Sequence, residues 1–420
     1  MTIFPAFRPR LMFHQFNKLI RPVRLIAASL LLMIAGCNET NQPPEATETT
    51  KTQAFPVTEE QTVGADWSNF RGNRSLTGIA PGILPDEPEL LWTFEAEGAI
   101  VSSPVIADSR VYFGSDDGNI YCLDFRSGKL IWSYPTDYMI EAPPLVHDGI
   151  VYVGSNDFFF YALDALSGEL KWKFETYEKI VGSANVVRSP DGNRDWIIIG
   201  SHDAFIYAVD AKTGEKIWEF ETNDRVNGSP AVIDDKIVFG GCDTILYVLD
   251  AATGQPTPRI ELGGDCHIAA SVGIDGHEVF FGHHGNEFVS IDLETEAILW
   301  RYPSPRFGFF SPPAITADRV IFGGRDKQLH CVDRDTGLAL WTFPTRRKID
   351  SAPVVCDDKV IFGSGDGRLY VVRLEDGEEV WSYDIGQSIF SSPAVVDGII
   401  IVGANDGRLY AFGKAKDKTD

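Results

Sequence analysis

Tryptophan returns along this chain at a nearly fixed interval, and that period constrains the fold more than any other feature. Trp132, Trp172, Trp218, Trp300, Trp341 and Trp381 each lie four residues after Gly128, Gly168, Gly214, Glu296, Gly337 and Gly377. The intervals are 40, 46, 82, 41 and 40 residues, the long one being two periods with Pro258 where a tryptophan is due. Each period carries the same four runs. In the first they are "SPVIAD" (103–108), "RVYFGS" (110–115), "IYCLD" (120–124) and "LIWSY" (130–134). Asp-Gly, Ser-Gly and Thr-Gly steps separate the later runs and suit hairpin turns, because glycine takes positive φ without strain.

Glycines in the second run, at Gly114, Gly154, Gly200, Gly240, Gly282, Gly323, Gly363 and Gly403, count eight repeats. Four-stranded units with a period near forty indicate a β-propeller. The expected fold is all-β: a single eight-bladed β-propeller of four-stranded antiparallel blades over residues 89–413. The last repeat stops after "LYAFG" (409–413), while "ELLWTFEA" (89–96) is a tryptophan-bearing run with no three runs before it. The ring is expected to close by pairing this N-terminal strand into the C-terminal blade, which removes exposed edges. Pro258 is tolerable only on an outermost strand.

The stretch "GSDDGNIYCLDFRSGKLIW" (114–132) has the polar crowding of a catalytic site. Its recurrence argues for architecture instead. Asp124 returns as Asp164, Asp210, Asp250, Asp292 and Asp333, where a carboxylate can accept N–H groups of the following turn. A catalytic carboxylate is needed once. Cys122 and Cys331 sit where other repeats have alanine, and read as small buried apolar groups.

The first 36 residues read as an export signal: Arg8, Arg10, Lys18, Arg21 and Arg24 precede the apolar run "LIAASLLLMIAG" (25–36), too short for a stable membrane span. The run ends in "IAGC", which resembles the bacterial lipobox and implies acylation of Cys37; a short anchor with an incidental cysteine, or a start at Met12, are the alternatives. Asn38 after the lipid site favours the outer membrane. Residues 37–65 are polar and rich in Pro, Thr and Glu, and read as a disordered tether. Residues 66–88 form an N-terminal extension and 414–420 a polar tail. The formal charge is −23, a surface that repels nucleic acid and anionic lipid.

The repeated "SPxV…VxxGSxDGxLYALDxxTGxxxW" resembles the pyrroloquinoline-quinone-type (PQQ-like) propeller repeats across residues 89–413. That resemblance implies one of two roles: a quinoprotein oxidoreductase, or a non-catalytic lipoprotein scaffold of the BamB type in outer-membrane protein assembly. The lipobox, length and blade number resemble the second, with envelope proteins as partners and a monomeric propeller. "DWSNFRGN" (66–73) departs from BamB proper and resembles a motif of other family members. In the quinoproteins the cofactor rests on a vicinal disulfide beside Ca²⁺ ligands. This chain has cysteines at 37, 122, 242, 266, 331 and 356, no adjacent pair, and no Asp-rich Ca²⁺ loop. No Walker loop, G-x-S-x-G or H-E-x-x-H occurs either. The expectation is no catalytic residue, no metal and no cofactor, with PQQ as the alternative.

Candidate contact residues remain. Cys242 in "GGCDT" and Cys266 in "GGDCHIAAS" fall on loops of one face in neighbouring blades, and a disulfide between them is expected in an oxidising envelope. With His267, His283 and His284 they are also the one candidate soft-metal set, of a spacing that matches no established site. Entering each blade is an apolar ring position: Ile100, Ile140, Ile180, Val226, Ile268, Phe309, Ile349 and Ile389. One step outward stand Lys179, Arg225, His267 and Lys348, with Arg347 beside them. These either bind an anionic ligand or acidic segment, or pair with Glu141, Asp224 and Asp350. Phe158 and Phe159 at a hairpin tip, and Phe307, Phe309 and Phe310 in "RFGFF", are either partner contacts or loop packing.

Overall fold

In each repeat the second and third runs are apolar at consecutive positions, and these become the two central strands, buried on both faces. In the first blade Val111, Tyr112, Phe113, Ile120, Cys122 and Leu123 are all fully buried. The fourth run alternates, and Leu130–Pro135 accordingly lies outermost with only every second side chain turned inward. The computed structural model describes residues 66–264 and 266–415. The export signal, Cys37, the tether and residues 416–420 lie outside the described residues.

Eight four-stranded antiparallel sheets form, one per repeat. Blade 1 comprises Val105–Ala107, Arg110–Gly114, Asn119–Asp124 and Leu130–Pro135, from the hub outward. The innermost strands of blades 2 to 8 are Leu145–His147, Asn185–Arg188, Ala231–Ile233, Gly273–Asp275, Ala314–Ile315, Val354–Cys356 and Ala394–Val396. Blade 8 takes its outermost strand from Glu89–Glu95, antiparallel to Arg408–Gly413 with Trp92 opposite Ala411. The ring closes as the missing fourth run implied. Pro258 lies on an outermost strand, Pro256–Glu261.

Two kinds of joint hold blade to blade. The apolar ring residue of one blade packs on the second-strand glycine of the blade before it: a Cβ on Gly114 would lie 2.2 Å from Ile140 Cγ2. The indole N–H groups of Trp132, Trp172, Trp218, Trp300 and Trp341 then donate to a backbone carbonyl of the following blade, Trp132 to Ala165 at 3.1 Å and Trp172 to Ala211 at 3.0 Å. Trp92 makes the same bond to Phe125 at 3.1 Å, so the seam between blades 8 and 1 is sealed like the others. The recurring aspartates are spent locally: Asp124 Oδ1 accepts the N–H and hydroxyl of Ser127, and Asp164, Asp210, Asp250, Asp292 and Asp333 repeat the motif.

Residues 66–88, the N-terminal extension, lace the hub. An innermost strand is an edge whose outward N–H groups need partners. The N–H groups of Ile106, Val146, Val232, Ile274, Ile315 and Val355 occupy one position in six blades. They donate in chain order to the carbonyls of Trp67, Ser68, Arg74, Ser75, Thr77 and Gly78, at 2.8 to 3.0 Å. In blade 3 the Asn185 side chain takes over, accepting from Val186 N–H at 2.9 Å and donating to Arg74 O at 2.7 Å. Ile79–Ala80 adds a short parallel strand to blade 7. Arg71 is buried here, its guanidinium donating to the Pro313 carbonyl at 2.5 Å. Burial lowers its pKa to about 9, so it stays charged at neutral pH.

Candidate functional site

Because every innermost strand starts at the same end of the ring, the loops that enter the blades gather there, together with the turns between second and third strands. They surround a well of about 310 Å³ that residues of all eight blades line together with Phe70 of the extension. Ser103, Ser229, Ser271 and Ser392 line its wall, and Glu141, Lys179, Asn227, Phe310, Asp350 and Phe390 its rim. The apolar ring below the rim is sealed, each of its eight residues at most 1% exposed.

The rim cations form the pairs foreseen from the sequence. Lys179 Nζ lies 4.0 Å from Glu141, Arg225 Nε 3.7 Å from Asp224, and Lys348 Nζ 2.5 Å from Asp350. Asp350 also holds Arg325 Nε at 2.9 Å. Arg347 is exposed and has no carboxylate partner among the described residues. His202 Nε2 bonds Asn227 Oδ1 at 2.9 Å; burial, against that hydrogen bond, keeps the ring below its ordinary pKa.

Cys242 and Cys266 do not form the expected disulfide. Their thiols face different neighbours. Cys266 Sγ lies 2.9 Å from where a Cβ of Gly285 would sit, beside the His283 ring. Cys242 is near Asp224 and Arg225, and burial first, then Asp224, raises its thiol above the ordinary value. His267 Nδ1 bonds the Cys242 carbonyl rather than a thiol. His283 turns into the blade and is fully buried. Those five residues therefore do not converge: among the described residues the one triad of metal-ligating groups is His147, Asp148 and Asp195, in a separate pocket on the opposite face.

The aromatic candidates divide. Phe158 is 41% and Phe307 47% exposed, and Phe158 sits at a positive φ of 78° on its hairpin tip. Phe159 is half-buried beneath Lys173 Nζ, 3.9 Å from its ring centre. Phe310 is flanked by the His284 ring at 4.4 Å and the Arg325 guanidinium at 3.9 Å. Phe309 is corrected: at 1% exposure it is a core residue, filling the ring position held elsewhere by Ile or Val and packed on Phe322 at 5.0 Å and His330 at 5.3 Å. It offers nothing to a partner.

Sequence reading passed over Arg306, Arg325, Lys327 and Arg346, and the exposed Tyr138 and Tyr177 on the same face. Their signal lies two and three places before the apolar ring position and in the second-to-third-strand turns, one step outward of the rim position. Phe70 could not have been found this way, since nothing in the repeat places the extension in the hub.

The sequence model of a β-propeller family described as beta-alanine-activating enzyme, beta-propeller, matches residues 180–419, more than half of the chain. A second, described as outer membrane protein assembly factor BamB, matches residues 83–203. No curated protein matches by sequence. Among solved structures, BamB from Moraxella catarrhalis is 17% identical with a TM-score of 0.66, covering 78% of this chain and 100% of that one. Quinohemoprotein alcohol dehydrogenase from Comamonas testosteroni is 15% identical with a TM-score of 0.72, covering 85% and 82%. The computationally designed protein Ika8 is 19% identical with a TM-score of 0.68, covering 78% and 100%.

Proposed function

The chain belongs to the β-propeller family described as beta-alanine-activating enzyme, beta-propeller, and on that premise we propose that it is a non-catalytic, membrane-anchored scaffold for protein–protein interaction in the cell envelope. BamB, an outer-membrane protein assembly factor, is the relative whose role the reading follows. One observation carries it: the recurring carboxylates and indoles are consumed in turns and joints, while the exposed aromatic and cationic side chains of the mouth face belong to no repeat. Exposed aromatic and arginine side chains are the groups that anchor protein interfaces. On this reading the lipobox-like Cys37 supplies the anchor, and Asn38 after it favours the outer membrane.

The second reading is a quinone-dependent oxidoreductase, which the quinohemoprotein neighbour raises. The residues of the well do not fit the cofactor. Pyrroloquinoline quinone is a flat tricarboxylate, and the one cation that lines the well, Lys179, stands with two carboxylates, Glu141 and Asp350. No adjacent cysteine pair exists to support its rings, and the triad of metal-ligating groups lies on the other face.

Two experiments test the proposal. Mature protein incubated with the quinone, with and without Ca²⁺, is expected to emerge from gel filtration colourless; a retained stoichiometric chromophore overturns the scaffold reading. From detergent-solubilised envelopes, the tagged protein is expected to co-purify with the outer-membrane β-barrel assembly machinery, and Cys37→Ser to release it from the membrane fraction. Phe158→Ala and Phe307→Ala are expected to weaken that capture at unchanged melting temperature.

A further inference from the structure

The two sides of the mouth face carry opposite charge. In the entering loops and turns of blades 1 to 3 (96–101, 115–119, 136–141, 155–159, 176–181 and 201–205), eight carboxylates stand against one lysine, Lys179. In the equivalent segments of blades 6 and 7 (304–310, 324–328, 345–350 and 364–368), seven cations stand against three carboxylates. All three are already committed. Asp326 holds His330 and the Gln328 N–H, and Asp366 holds the Tyr370 hydroxyl and the Arg346 N–H. Asp350 is shared by Arg325 and Lys348. Arg306, Lys327, Arg346 and Arg347 are exposed and have no carboxylate partner among the described residues.

The loops that carry them are held firmly. The Lys327 carbonyl accepts the Thr345 N–H at 2.8 Å, and the Thr345 hydroxyl donates to Arg347 O at 2.6 Å. His284 meets Phe310 edge to face and Arg325 lies over the same ring beside this crest, and Lys348 Nζ lies 4.9 Å from the Phe390 ring centre. Phe307, 47% exposed, stands next to Arg306. On a chain of net charge −23, unpaired cations gathered in one place repel each other unless a counter-charge is brought to them.

We propose that the crest of blades 6 and 7 is the docking site for an acidic, extended segment of a partner protein, its carboxylates on Arg306, Arg346 and Arg347 and an apolar side chain against Phe307. The proposal rests on the scaffold reading and assigns it a face and a partner chemistry. A short acidic segment meets the crest alone, because charges beyond about 8 Å are screened at physiological salt. A membrane surface or a long nucleic acid would also have to lie over the acidic sector of blades 1 to 3, which repels both.

The test uses the full mature chain and a fluorescein-labelled peptide of alternating glutamate and leucine. The peptide is expected to bind, and to bind at least about tenfold more weakly after the combined changes Arg306→Glu, Arg346→Glu and Arg347→Glu, or in about 0.3 M salt. Phe307→Ala should cost severalfold, and Asp137→Lys with Glu178→Lys should not weaken it. Unchanged thermal melts of these exposed variants show that folding is intact. Equal peptide affinity in wild type and triple variant overturns the proposal. So does capture of oligothymidylate or phosphatidylglycerol vesicles in preference to the peptide. Photo-crosslinkers placed at Phe307 and at Tyr177 separate the two readings in living cells. Protein adducts at Tyr177 alone leave the scaffold standing and remove the crest; adducts at neither position remove both.

Discussion

Gly363 shows what a single hydrogen atom does in this ring. A Cβ there would lie 2.3 Å from Ile389 Cγ2, with an ordinary backbone conformation and no turn to require glycine. The reason is the close approach of the next blade, repeated at all eight second strands with separations of 2.1 to 2.5 Å. Gly363→Ala is expected to cost about 1–3 kcal/mol through overpacking, read as a lower urea midpoint at unchanged slope; an unchanged midpoint would contradict the joint. His283 offers a different residue-scale test. Its Nδ1 accepts the Gly285 N–H at 3.0 Å, while buried Nε2 has no hydrogen-bond partner. Burial above all, then Arg301 and His284 against the opposing Glu287, lowers its pKa from 6.5 to about 4. Between those values the unfolded chain binds the proton and the folded one does not, so stability falls as pH drops from 6.5 to 4. His283→Gln is expected to flatten that part of the melting-temperature profile; an identical slope would show that other groups produce it.

Among the elements, the extension over 66–88 has the largest consequence for its size. Its carbonyls satisfy the same edge N–H in six blades, and its Phe70 lines the well. Removing residues 66–85 leaves the closing strand Glu89–Glu95 in place, so the ring should still form. The expected result is a lower melting temperature and faster amide hydrogen exchange at Ile106, Val146, Val232, Ile274, Ile315 and Val355 together. Retained protection at those six amides would mean that the inner edges find other partners. Removing the closing strand as well should do more damage, since it exposes the edge of blade 8 and frees the Trp92 clip to blade 1.

For the whole molecule, the turn carboxylates act as one set because the ring repeats them. The Ser127 hydroxyl and N–H hold Asp124 below its ordinary pKa, and the Thr295 and Thr336 turns do the same for Asp292 and Asp333. Asp164, with Lys171 as the chief cause and the Ser167 N–H next, is lowered to about 2. Each folded value lies below the unfolded one of about 3.9, so the stability they lend is complete above it and is lost as pH falls towards 2. The melting temperature is expected to drop steeply between about pH 4 and pH 2. A flat profile through that window would mean that the turns hold without their charges.

Blade number, strand pattern and the ring-closing strand could all be read from the chain, because each follows from local periodicity. The glycine, tryptophan and aspartate of every repeat mark one strand, one joint and one turn. The same regularity identified the apolar ring at Ile100, Ile140 and their equivalents, and it exposed the rim cations and the carboxylates they pair with. It misled at Phe309, whose place in "RFGFF" suggested a contact although its position in the ring meant burial. It could not decide whether Cys242 and Cys266 meet, since loops on one face share an address but not a side-chain direction. The extension lay beyond it altogether, and of the charged crest it gave Arg347, Lys348 and Phe307 but not the rest. Residues 66–88 have no repeat of their own, and their partners lie 39 to 277 positions away: Trp67 against Ile106, Gly78 against Val355. The crest joins Arg306, Lys327 and Arg347 from three separate loops. Periodicity describes what each forty-residue unit does to its neighbour; which unrepeated residues gather at the hub and the rim depends on the ring being closed.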